Sequence, residues 1–190
     1  VSDREKWYGY DIDSFLTKIQ AVGCKICFFH NLKFDGNFIL YRLLELKEDF
    51  ELCAPRSNWF YLSWKGIEFR DSLKKIKLSV AGIAIMLGIP HKIDVHDSNG
   101  KFPWDYYIPA GYIAPIEQVQ YCIRDSEIVA EFISREWAEG RTRLTSSSEA
   151  FNNAKKQINK YSLTFPSLDQ ATDAYVRATY RGGVCAICPD

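Results

Sequence analysis

The feature that most constrains this chain is a change of hydrophobic period across residues 24–46. Cys24, Ile26 and Phe28 alternate with Lys25, Cys27 and Phe29 at the spacing of a β-strand, and then Phe38, Ile39 and Leu43 recur at helical spacing. A strand that gives way at once to a helix is the building unit of a sheet covered by helices. The junction between them reads His30-Asn31-Leu32-Lys33-Phe34-Asp35-Gly36-Asn37-Phe38. Asp35 is expected at the corner, where a rigid scaffold holds a carboxylate close to solvent and Gly36 lets a ligand or another backbone approach. Such a carboxylate suits a metal ion, but an Asp just before a helix is also an ordinary N-cap. The polar groups of His30, Asn31 and Lys33 and the rings of Phe34 and Phe38, on which bases could stack, favour a site.

The rest of the chain alternates helix and strand. Asp13 or Ser14 is expected to cap a helix running to Val22 and stopped by Gly23, and a strand is expected from Cys24 to Phe29. Tyr61 to Trp64 and Ile67 to Asp71, separated by Lys65-Gly66, predict a β-hairpin. Leu78 to Leu87 predicts a short apolar helix, and Pro115 to Gly140 a long one with Pro and Gly as its punctuation. Ser146-x-x-Glu149 and Ser167-x-x-Gln170 have the form of capping boxes. Residues 91–115 carry Pro, Gly and aromatics without periodicity and are expected to form a long ordered loop.

Composition narrows the function classes. The chain has 190 residues, 47% of them apolar, enough for one compact core with a small extension. Its 24 basic and 24 acidic residues cancel, so any contact with nucleic acid must be local. Lys74, Lys75 and Lys77, then Lys155, Lys156 and Lys160, are the basic clusters, readable as contacts or as solvated faces. No apolar run reaches spanning length and the first residues are polar, so the expected location is soluble, in the cytoplasm of the host cell. Cys24-x-x-Cys27 and Cys185-x-x-Cys188 have zinc-like spacing, but residues three apart on a strand point to opposite faces, and reduced thiols are expected.

His-Asn-Leu-Lys-Phe-Asp-Gly resembles the second exonuclease motif of protein-primed family B DNA polymerases of small bacteriophages and linear plasmids. Tyr121-Cys122-Ile123-Arg124-Asp125 is similar to the third exonuclease motif of that family, and Tyr180-Arg181-Gly182-Gly183 to the linker before its polymerase domain. Asp71-Ser72-Leu73-Lys74-Lys75 resembles a segment that in the family contacts single-stranded DNA and the terminal priming protein.

The resemblance implies an α/β ribonuclease-H-like (DnaQ-like) exonuclease fold, a mixed sheet covered by helices and lacking its first strand. It implies a 3'-5' exonuclease domain over 1–145, and over 146–190 a helical connector and the start of a polymerase domain. Asp35, Tyr121, Asp125 and Lys101 would be catalytic, with Asp35 and Asp125 holding Mg2+ or Mn2+. His30, Asn31, Phe34, Phe38, Ser72, Leu73, Tyr180, Arg181, Gly182 and Gly183 would bind a single-stranded primer end. Lys92 is the reserve for Lys101.

Tyr121 and Asp125 are four apart and share a helix face, although a half-buried aromatic is the plainer account of Tyr121. The family's first motif, Asp-x-Glu, has only Asp11-Ile12-Asp13 as an imitation, and helical spacing after it makes these turn and cap residues. The resemblance, without the family's first motif and polymerase active site, implies an internal fragment of a polymerase, and because two carboxylates cannot neutralise two divalent ions, weak or no hydrolysis is expected. The alternative is an inactive module that binds single-stranded DNA or terminal protein.

Overall fold

The computed structural model describes residues 5–90, 109, 111–160 and 168–179. The chain divides into two compact units between Ala150 and Phe151. The first unit holds a four-stranded mixed sheet. Its strands are β1 (Ile26–Phe29), β2 (Phe50–Cys53), β3 (Tyr61–Trp64) and β4 (Ile67–Asp71), in the order β1-β4-β3-β2. β1 runs parallel to β4 with Phe29 opposite Asp71, while β2, β3 and β4 form an antiparallel meander. Among the described residues no strand pairs with the other edge of β1.

The alternation along β1 sends its side chains to two separate cores. Cys27 and Phe29 join the cluster made with helices α1 (Ile12–Ala21) and α2 (Leu32–Glu45), whose centre is Leu16, Leu32, Ile39, Leu43, Leu62 and Phe69. Phe28 points the other way, to Ile83 and Ala84 of α3 (Val80–Leu87) and to Ile128 and Phe132 of α4 (Ile116–Ala138). Both faces of β1 are thus covered by helices. The α/β expectation holds in this form.

The hairpin forms over the predicted residues because Lys65 (φ 48°) and Gly66 (φ 76°) both take positive φ, the two-residue turn whose twist matches the strands. Other boundaries shift for identifiable reasons. The cap of α1 is Asp11, whose carboxylate accepts the Ser14 amide at 2.7 Å, and Asp13 instead pairs with Arg42. Of the two aspartates expected as turn and cap residues, Asp11 is thus the cap, whereas Asp13 lies in the first turn of α1 and pairs with Arg42 of α2.

In the segment after α4, Thr145 rather than Ser146 caps α5 (Ser146–Lys160), its Oγ1 accepting from the Ser148 amide at 3.0 Å. Glu149 turns inward and accepts from the Arg143 amide at 2.8 Å. In the second unit, α6 (Gln170–Thr179) is capped by Asp169, which accepts from the Thr172 amide at 2.9 Å, while Ser167 lies outside the described residues.

Cys24 precedes β1 and packs on the same core as Cys27, so strand alternation does not separate this pair. Burial, reinforced by the neighbouring Cys24, pushes the Cys27 thiol up to about 12. Cys185 and Cys188 lie outside the described residues.

Candidate nucleic-acid interface at the strand ends

Because β1 and β4 are parallel neighbours, the two segments that leave them emerge side by side at one end of the sheet. His30 and Asn31 follow β1, and Ser72 and Leu73 follow β4. One buried carboxylate fastens the pair. Asp71 Oδ1 accepts from the Asn31 amide at 3.0 Å and from the Leu73 amide at 2.9 Å. A carboxylate that accepts two backbone N–H groups is a strong tie between loops.

Asn31 sits in the left-handed region (φ 76°, ψ 58°), a conformation that Asn tolerates better than most residues, and α2 begins with the next residue. The helix starts earlier than expected because Leu32, Gly36, Ile39 and Leu43 already form its buried stripe. Asp35 is consequently neither at the corner nor the cap. It lies in the first turn of α2, half-buried, and burial together with the charge of Asp71 holds its carboxyl above the usual carboxylate range, against a smaller opposing backbone hydrogen bond.

Gly36 also differs from expectation. A Cβ at this position would stand 2.7 Å from the Trp59 ring, so the close approach that glycine permits is by an indole rather than by a ligand or backbone.

His30 is held at both nitrogens. Nε2 lies 2.8 Å from the Leu78 carbonyl, which can only accept, so Nε2 carries a proton. Nδ1 lies 2.9 Å from the Ser72 hydroxyl, which also reaches the Phe29 carbonyl at 2.9 Å. Ser72 is fully buried, so its hydroxyl orients His30 from within the sheet end. Beside them His30, Leu73, Lys74, Lys77, Leu78 and Ser79 line a cleft of about 390 Å³.

Phe34 and Phe38 stand outside the fold. Their side chains are 65% and 62% exposed and meet edge to face at 6.1 Å between ring centres. Two exposed aromatic rings one turn apart need an explanation other than packing. Of the basic cluster, Lys75 is no surface contact. Its ammonium is buried, donates to the Arg141 and Arg143 carbonyls at 2.9 and 2.8 Å, faces Glu136 at 3.8 Å, and is pushed below the ordinary lysine value by burial. Lys74 reaches the Asn58 side chain at 2.5 Å and lies 3.7 Å from Asp71.

Tyr121 and Asp125 lie one turn apart on α4, on the side that carries Ile128 and Phe132 into the second core. Tyr121 is buried and Asp125 half-buried. Among the described residues no group of three or more His, Cys, Asp and Glu side chains forms a metal-holding cluster. Lys101, Lys92, Tyr180, Arg181, Gly182 and Gly183 lie outside the described residues. A larger concavity of about 970 Å³ runs along the outer face of α4, between Trp7, Tyr8 and Cys122, and none of the sequence-expected site residues lines it.

The structure thus brings His30, Asn31, Ser72, Leu73 and Asp35 to one sheet end around Asp71. Asp71 was legible only as the first residue of its motif. Its organising role follows from the parallel pairing of β1 with β4, which no local pattern specifies.

Comparison with known proteins sets this arrangement in context. No protein-family model matches the chain. The DNA polymerase of Bacillus phage phi29 is 29% identical over 199 aligned positions, covering 92% of this chain and 33% of that polymerase. The DNA polymerase of Streptococcus phage Cp-1 is 33% identical over 165 positions, 80% of this chain and 27% of its own length. The chain therefore spans about a third of the length of the curated relatives it matches. Among solved structures, phi29 DNA polymerase complexed with single-stranded DNA superposes with a TM-score of 0.74 at 27% identity, covering 93% of this chain and 34% of that one. The same polymerase complexed with primer-template DNA and incoming nucleotides gives 0.77 at 26% identity.

Proposed function

We propose, on the premise that this chain is a homologue of the phi29-type protein-primed DNA polymerases over 92% of its length, that it is the proofreading region of such a polymerase. In this reading the sheet is a ribonuclease-H-like exonuclease sheet, 1–145 is its exonuclease domain, and 146–190 leads into the polymerase domain. The carboxyl ends of β1 and β4 hold an unpaired 3' end of DNA. The observation that carries the reading is the fastening of the two motif segments by Asp71, with Phe34 and Phe38 exposed beside them. Ligands of open α/β sheets bind at the carboxyl ends of parallel strands, which is where these segments meet.

In this reading a hard divalent cation would be held in part by Asp35 and Asp125, two carboxylates that do not by themselves form a metal-holding cluster among the described residues. Carboxylate oxygens are the donors that Mg2+ and Mn2+ prefer. Two such ions would supply an activated water and stabilise the leaving oxygen of a phosphodiester. The chain's own part is positioning. Phe34 and Phe38 stack bases without regard to sequence, His30 and Asn31 contact the terminal nucleotide, and Ser72 keeps His30 in its orientation. Tyr121, four residues before Asp125, would orient the water from α4. A full complement of ligands for two such ions needs carboxylates beyond these two.

The test is binding of a labelled oligonucleotide by fluorescence anisotropy, with single-stranded and blunt duplex probes side by side. Preference for the single strand that Phe34→Leu abolishes supports the reading. Equal binding to both probes, or no effect of Phe34→Leu in a folded protein, contradicts it.

A further inference from the structure

We propose that Tyr41 is a third stacking platform, which carries the single-strand track along α2 away from the sheet end. The inference rests on the reading of the strand ends as a single-strand site and extends it by a residue that the motifs do not contain. Phe34, Phe38 and Tyr41 follow at i, i+4 and i+7, so at about 100° per residue they lie within an arc of about 60° on one side of the helix. Tyr41 is 66% exposed, like the two phenylalanines. The opposite face of α2 is already committed to the core through Leu32, Gly36, Ile39 and Leu43. The aromatic stripe is therefore surplus to folding.

Its dimensions fit a nucleic-acid strand. At about 1.5 Å of rise per residue the three rings span about 10 Å, room for about three nucleotides at about 3.4 Å each. The stripe begins beside Asp35 and the Asn31 turn, so it is continuous with the proposed place of the 3' end. At the far end one guanidinium, that of Arg42, faces two carboxylates, so the platform is proposed to act by stacking and not by attracting phosphates. The Tyr41 hydroxyl is hydrogen-bonded to Glu45, and Glu45 is in turn paired with Arg42 at 3.1 Å, whose guanidinium also holds Asp13 at 2.7 Å. The tie to Glu45 anchors the phenol and leaves its ring face open to a base.

The test compares the 190-residue chain with Phe34→Leu, Tyr41→Leu and Tyr41→Phe, using end-labelled oligothymidylates of about 2 and about 12 nucleotides, lengths below and above what the stripe holds. Circular dichroism checks that each variant is folded. Tyr41→Leu should weaken the long probe about five-fold or more while leaving the short one unchanged, as expected for one lost base stack. Tyr41→Phe should bind both as the parent does. Phe34→Leu should weaken both probes.

If Phe34→Leu weakens binding and Tyr41→Leu does not, the third platform is refuted and the sheet-end reading stands. If Phe34→Leu is without effect, the sheet-end reading itself fails. Equal loss with Tyr41→Phe and Tyr41→Leu would assign the effect to the hydroxyl and refute stacking. Self-association that Tyr41→Leu abolishes, with oligonucleotide affinity unchanged, would assign the stripe to a second copy of the chain and also refute it.

Discussion

Replacing Asp71 with Ala should damage both the stability and the binding surface of this protein, by an amount the structure allows to be worked out. Asp71 is 2% exposed, and a single oxygen accepts the Asn31 and Leu73 amides at 3.0 and 2.9 Å. Hydrogen bonds to a charged group contribute about 1.5–3 kcal/mol each, and a buried donor left without an acceptor costs about as much. Asp71→Ala should therefore destabilise by about 3–5 kcal/mol, a large part of the stability of a domain this size. Lys74, 3.7 Å away and itself held by Asn58, adds little. Asp71→Asn keeps an oxygen in place and should cost about 1–2 kcal/mol.

Urea unfolding followed by tryptophan fluorescence measures both variants, since Trp59 and Trp64 are buried in the first core. Single-strand affinity measured below the transition should fall more for Ala than for Asn, because Asn31 loses the contact that holds it in the left-handed region. A loss of under about 0.5 kcal/mol for Asp71→Ala, typical of surface positions, would refute the claim that this carboxylate fastens the two segments.

Asp35 gives a prediction in pH. Its folded carboxyl is raised by burial and by Asp71, so between the unfolded and folded values the folded chain binds more protons and stability falls as pH rises. In a chelator-containing buffer Asp35→Asn should thus raise the urea midpoint at neutral pH, and the gain should vanish below the ordinary carboxylate range; an equal gain at every pH would contradict it. Gly36→Ala, which in an open helix would stabilise, should cost about 1–3 kcal/mol because the new Cβ meets Trp59 at 2.7 Å, and a raised urea midpoint would show that the ring yields. Lys75→Ala should cost about 2–4 kcal/mol by releasing the Arg141 and Arg143 carbonyls, to be read as a lowered melting temperature; an unchanged one would make the buried ammonium dispensable.

Much of the fold could be read from local pattern. The hairpin over Tyr61 to Asp71 was legible because alternation and a two-residue turn occur together, and α3 and α4 because helical spacing coincides with Gly88 at the end of the one and Pro115 and Gly140 at the ends of the other, whereas the Ser79 cap of α3 is seen only in the fold. β2 was not anticipated. Phe50–Cys53 is four residues long with no clear alternation, and it is a strand because β3 offers it a partner.

The start of α2 was placed late because Asp35 looks like a cap, whereas Asn31 takes a left-handed turn stabilised by a residue 40 positions away. The same non-local pairing gathers the site, so the motifs named its members while the tie through Asp71 stayed invisible. Gly36 illustrates the limit from the other side. Sequence shows that something must come close, and only the fold shows that it is Trp59.

The central claim is that an unpaired 3' end lies against the carboxyl ends of β1 and β4. It is tested most directly by photocrosslinking with a single-stranded oligonucleotide whose 3'-terminal base is 5-iodouracil, followed by mass-spectrometric mapping. The account predicts crosslinks at Phe34 and His30, lost when Phe34→Leu removes the ring beside the terminal base. Crosslinks confined to the outer face of α4, around Trp7 and Tyr8, would contradict it.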